Sequence, residues 1–143
     1  MRWIIALLLY SLTPLQAAWA DDISLSIGSH RIRAAIANNT YSRERGLMKS
    51  TQLCSSCGML FIFPQAAKHS FWMKDTLLPL SIAFIAADGT ILNIDEMQAN
   101  TTNSHSARGD ALYALEMNKG WFLEHSIKPK DQVHGLQNSP RGN

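Results

Sequence analysis

Most of the local signatures that announce a reaction are missing from this chain. It has no Gly-x-Ser-x-Gly elbow, no His-Glu-x-x-His, no phosphate-binding glycine loop and no Gly-x-Gly-x-x-Gly, so nothing local points to hydrolase, zinc-protease or nucleotide chemistry. A Ser/His/Asp triad assembles only in space, and no residue pattern points to one. Charge of one sign is also lacking: 13 Lys and Arg face 11 Asp and Glu. The basic residues are scattered, as Arg31 with Arg33, Arg43 with Arg45, Lys68 with Lys74 and Lys128 with Lys130. Such a balance argues against a nucleic-acid partner and describes solvated faces. No long amphipathic helical pattern occurs, so a parallel α/β fold is hard to build from this chain.

The one extended apolar segment is at the amino terminus. Arg2 precedes an uncharged run from Trp3 to Ala20 centred on Ile4–Leu9, the build of a secretory leader. A spanning helix needs about 20 mostly apolar residues, and this stretch carries Ser11, Pro14 and Gln16. Ala18-Trp19-Ala20 sets small residues where a signal peptidase reads, so residues 1–20 are expected to be a cleaved signal peptide and Asp21 the mature amino terminus. No Cys lies near that point to take a lipid and no twin arginine precedes the apolar run. The expected product is exported to the periplasm, with no membrane span after cleavage. What remains suits one domain, residues 21–136, followed by a tail at 137–143 expected to be disordered.

Within that domain the periodicity is that of strands. Ile23, Leu25 and Ile27 alternate with polar residues, Gly28-Ser29 break the run, and Ile32, Ala34 and Ile36 resume it, which predicts a β-hairpin. Thr40 is placed to cap a short helical turn stopped by Gly46. Gly58 to Phe63 is a continuous apolar run ending at Pro64, as in a strand buried on both faces. Ser81–Ile85 and Thr90–Ile94 flank Asp88-Gly89, a hairpin signal. Gln98 to Gly109 reads as a long exposed loop. Ala111 to Met117 alternates again, Trp121 to His125 fits one helical turn, and Val133 to Leu136 closes the sheet. The expected fold is mainly β, a compact β-sandwich or small open barrel with one or two short helical turns.

Taken together, Arg45-Gly46-Leu47-Met48, Gly58-Met59-Leu60-Phe61-Ile62-Phe63-Pro64 and His69-Ser70-Phe71-Trp72-Met73-Lys74-Asp75-Thr76-Leu77-Leu78-Pro79-Leu80 resemble the DUF192 family, also called UPF0127. The likeness runs over roughly residues 25 to 136. It implies a compact β-rich domain and brings no catalytic residue with it. The sequence departs from the family pattern at Leu53-Cys54-Ser55-Ser56-Cys57, where a cysteine-free polar stretch is usual.

Three readings of Cys54 and Cys57 stay open. Oxidising surroundings favour a disulfide, worth only about 2 kcal/mol for so short a ring. A redox pair would need a thiolate stabilised by positive charge or a helix N-terminus, and Lys49 is the only basic residue close in sequence. A metal site would need further ligands; Met48, Met59 and His69 with the two thiolates would form a soft set suited to copper as Cu(I), although methionines beside apolar strands are also ordinary core filling. Trp72, Met73, Lys74 and Asp75 form a candidate ligand pocket, Trp72 as a stacking face and Lys74 as an anion contact. Glu116, between Leu115 and Met117, is expected to point outward. The function this supports is a non-catalytic binding or accessory module, with an exported thiol redox protein and a copper-handling protein as the alternatives.

Overall fold

The computed structural model describes residues 22–143; the expected leader and Asp21 lie outside the described residues. The chain is mainly β. β1 (Asp22–Ile27) and β2 (His30–Ala37) form the predicted hairpin, turned at Gly28 with φ of 56°, a conformation glycine adopts without steric cost. α1 (Thr40–Arg45) is capped by Asn39, one residue earlier than expected: its side chain accepts from the Ser42 N–H, and its own N–H donates to Ser42 Oγ. Gly46 stops the helix.

β3 (Cys57–Ala67) returns parallel to β2, with Arg33 opposite Cys57 and Ala37 opposite Phe61. Parallel neighbours need a long crossover, and α1 with residues 46–56 supplies it. β5 (Leu80–Ile85) and β6 (Ile91–Met97) are the second predicted hairpin. β8 (Ala111–Asn118) inserts between β5 and β3, antiparallel to both. β9 (Val133–His134) adds to β1, giving the sheet order β6-β5-β8-β3-β2-β1-β9. β4 (Ser70–Phe71) and β7 (His105–Ser106) form a separate two-stranded ribbon, so the segment expected to be one exposed loop is partly paired.

The large sheet curls. Ile91 N–H donates to Asp131 O, Lys130 N–H to Ile91 O and Val133 N–H to Gly89 O, while His134 and Val133 pair with Ser26 and Ile27 on β1. Residues 130–134 thus tie the β6 edge to the β1 edge, and of the two expected architectures the open barrel is the one formed. One core, on the enclosed face, takes side chains from every strand of the sheet and from Trp121 and Phe122 of α2 (Trp121–Glu124). A second core covers the other face of the central strands, where Leu47, Met73 and Ala107 pack on Met59, Phe61, Ile82, Phe84 and Ala114.

The carboxyl-terminal residues expected to be disordered are instead placed along the end of β2. Asn143 N–H donates to Asn38 O, Asn38 Nδ2 to Arg141 O, and Arg43 Nη2 to Asn143 O at 2.7 Å. Polar contacts to backbone groups, as here, leave no hydrophobic period in a sequence.

Candidate functional site

Two segments remote in sequence cover the second core. The turn after α1 and the run that follows β4 are joined by the Lys49 N–H donating to Asp75 O at 3.0 Å. Between them opens a cleft of about 230 Å³ lined by Arg43–Met48, Phe61, Phe63, Ser70, Phe71, Trp72, Thr76 and Glu116. Its aromatic wall is interlocked: Phe71 meets Phe61 edge-on at 4.9 Å between ring centroids and Phe84 at 5.7 Å. Arg43 belongs to the frame, since it donates to Ile62 O and lies over the Phe63 ring. Glu44 and Arg45 stand exposed at the mouth, in no ion pair among the described residues.

At the inner end is Glu116, only 4% exposed. The alternation of β8 sends Leu115 and Met117 to the enclosed core, and Ala114 to the lidded face. Glu116 follows Ala114, standing opposite Met59 of β3 and Ile82 of β5. The expectation that it points outward is therefore corrected: β8 is a central strand and both of its faces are covered. No donor among the described residues makes a hydrogen bond to this carboxyl. Fully enclosed side-chain polar atoms are all paired, so its oxygens open onto the cleft they line. Burial pushes its pKa from the usual 4.5 up to about 8, because low-dielectric surroundings disfavour the charged form. Burial thus favours the protonated acid, which can both donate and accept.

The run 72–75 is divided by a turn. Strand pairing stops at Phe71, and Thr76 N–H donates back to Met73 O, with Asp75 at a positive φ of 52°. Trp72 is 52% exposed on the cleft rim, with Lys74 Nζ 5.5 Å from its ring centroid. Met73 is fully buried core. Lys74 and Asp75 are exposed at the turn and line no part of the cleft. Of the four pocket candidates, only Trp72 belongs to it. Glu116 was missed because an isolated carboxylate in an alternating run reads as the solvent face; the signal that could have found it was the number of apolar runs competing to flank that strand.

Cys54 and Cys57 are bonded to each other at 2.01 Å, in a turn closed by Cys57 N–H to Cys54 O. Cys57 opens onto a small groove shared with Asp22, Arg33, Leu47 and Leu53. Met48 lines the cleft, whereas Met59 is buried. His69 stacks on Phe63 at 3.5 Å and its Nε2 is 3.0 Å from Gln65 O. The two cysteines are thus bonded to each other, Met48 lines the cleft, Met59 is core and His69 stacks on Phe63, and among the described residues no three His, Cys, Asp or Glu form a group that could hold a metal.

A curled β sheet with an aromatic-walled cleft over a buried carboxyl defines a class of domain, and comparison with known proteins places it. Residues 23–135 match the DUF192 family, described as "Uncharacterized ACR", and the chain belongs to that family. It is similar to the crystal structure of a protein of unknown function from Novosphingobium aromaticivorans, with 30% identity and a TM-score of 0.76 over 79% of this chain and 84% of that one. It is also similar to a candidate transcription regulator from Sinorhizobium meliloti, with 33% identity and a TM-score of 0.75 over 80% of this chain and 92% of that one. No curated protein matches this chain in sequence.

Proposed function

We propose that this is an exported, non-catalytic binding module whose cleft takes a small, partly apolar ligand that presents a paired hydrogen-bond donor and acceptor to Glu116. One observation carries the reading: a carboxyl with no hydrogen-bond or ion-pair partner among the described residues, at the inner end of an aromatic-walled cleft. A hydrogen bond to such a group is worth about 0.5–1.5 kcal/mol net, available to a ligand that enters the cleft and bonds it. A protonated acid pairs two-fold with an amide, whereas a carboxylate ligand leaves one acceptor facing another. Ligand sites of this kind are mostly apolar with a few placed polar groups.

The test uses three probes that share a ring and differ in head group: benzamide, benzoate and benzylamine. Their binding is followed by amide chemical-shift changes at neutral pH. Benzamide is expected to shift Phe61, Phe71, Trp72 and Glu116 most, and Glu116→Gln, which keeps a donor and an acceptor, to retain it while Glu116→Leu does not. Shifts outside the cleft, or no preference among the three, would overturn the reading.

A further inference from the structure

We infer that the Cys54–Cys57 disulfide is a thiol-exchange site for small anionic thiols, with Arg33 as the residue that positions and stabilises the departing Cys57 sulfur. The inference is independent of the cleft over Glu116. Lys49, the basic residue close in sequence, does not line the groove at Cys57, whereas the fold brings Arg33 there. The parallel pairing of β2 with β3 sets Arg33 opposite Cys57, Arg33 N–H donates to Ser56 O, and its guanidinium Nη2 reaches Cys57 Sγ at 3.7 Å. On the opposite side, Asn118 Nδ2 donates to both Leu53 O and Cys54 O, so the loop is held from β8 as well.

The two sulfurs are unequal. Cys54 is exposed and Cys57 is half-buried, which directs an incoming thiolate to Cys54 Sγ. In the first step that thiolate bonds to Cys54 Sγ, the Cys54–Cys57 bond breaks, and its electron pair leaves on Cys57 Sγ beside the guanidinium. A second thiolate then attacks the sulfur of the bound thiol, releasing the external disulfide and leaving Cys54 as a thiolate that takes a proton from water. Two external thiols are oxidised and one protein disulfide is reduced. A guanidinium next to the leaving sulfur favours its thiolate, and a better leaving thiolate speeds exchange.

The substrate class follows from what surrounds the loop. A groove on the outer face of the β1–β2 hairpin runs up to Ser56 and is lined by Ser24, Ser26, Arg31, Arg33 and His134, with no carboxylate among its lining residues. Among the described residues Asp22 is the acidic group lining the groove at Cys57, and it is engaged with Arg33 at 3.4 Å. Among the described residues the charged and titratable groups lining this region are Asp22 from β1, Arg31 and Arg33 from β2 and His134 from β9. This field attracts a negatively charged thiol and repels a cationic one.

The oxidised full-length mature protein is treated with glutathione, 2-mercaptoethanol or cysteamine, which carry net negative, zero and positive charge. Opening of the disulfide is followed by mass and expressed per thiolate. Glutathione is expected to exceed cysteamine by about tenfold or more at low salt, with the gap closing near about 1 M salt. Arg33→Gln should remove most of the gap and Arg33→Lys should restore part of it. In the reduced protein, Arg33→Gln should move the pH profile of Cys57 alkylation to higher pH. Arg33 is exposed, so these variants should keep the wild-type unfolding temperature, and the salt series on the unmodified protein needs no variant at all. Equal rates for the three thiols, or an alkylation profile that Arg33→Gln leaves in place, would overturn the inference.

Discussion

Glu116 on β8 stands directly opposite Met59 on β3, a carboxyl set against a thioether on the covered face of the sheet. An ionised carboxylate there would sit on an apolar strand face, in no ion pair among the described residues. Loss of its charge costs less than keeping it.

That placement makes stability depend on pH with a definite sign. Burial holds Glu116 at about 8 in the folded chain against an ordinary 4.5. Between these values the folded chain binds more protons than the unfolded one. The contribution is complete below the lower value and is lost as pH rises through the upper one. The slope is expected to reach at most about 1.4 kcal/mol per pH unit, and Glu116→Gln should flatten it. Thermal unfolding across this range reads both curves; parallel curves would place the acid in solvent.

Met73 and its neighbour Lys74 should respond oppositely to truncation. Met73 is fully buried, so Met73→Ala is expected to cost about 2–5 kcal/mol through lost contacts and a cavity. Lys74 lies outside the core, and Lys74→Ala should stay within about 0.5 kcal/mol of wild type. Urea unfolding of the two variants decides this, and similar costs would refute the turn at residues 73–76.

Replacing Cys54 and Cys57 together by Ser should lower stability by about 2 kcal/mol, the value for closing so short a loop. The loop keeps its ties through Asn118 and the Arg33 N–H to Ser56 O bond, so the fold should survive. Chemical denaturation with unchanged slope checks it; collapse of the sheet would show that the bond holds more than the loop.

Material recovered from the export compartment should begin at Asp21, because Ala18-Trp19-Ala20 is the small-x-small site that directly follows the apolar run. Intact mass of the recovered protein measures this, and a chain retaining Met1 would contradict it.

Much of the fold was legible from local pattern. The period-two alternation of Ile23–Ile36 and the Asp88-Gly89 turn both became hairpins, because side-chain direction in a strand is set by backbone geometry within a few residues. The methionines and Trp72–Asp75 were harder to sort, since residue type says that a side chain is apolar or charged but not where strand pairing ends. Once pairing stops at Phe71, Met73 enters the core and Lys74 leaves it.

By itself the sequence determined the strand periods, the turn positions, the resemblance to DUF192 and the pair of cysteines close enough to bond. Only the tertiary structure decided that Glu116 is enclosed and that Arg33 stands beside Cys57. Both depend on partners distant in the chain: Glu116 is buried because β3 and β5 flank β8 and residues 46–48, 70–72 and Thr76 wall the cleft over it, and Arg33 reaches the sulfur through a parallel pairing that a 19-residue crossover makes possible. Local periodicity fixes which face a side chain takes; what covers that face, and therefore its dielectric and its charged neighbours, is set by contacts that close only when the whole chain folds.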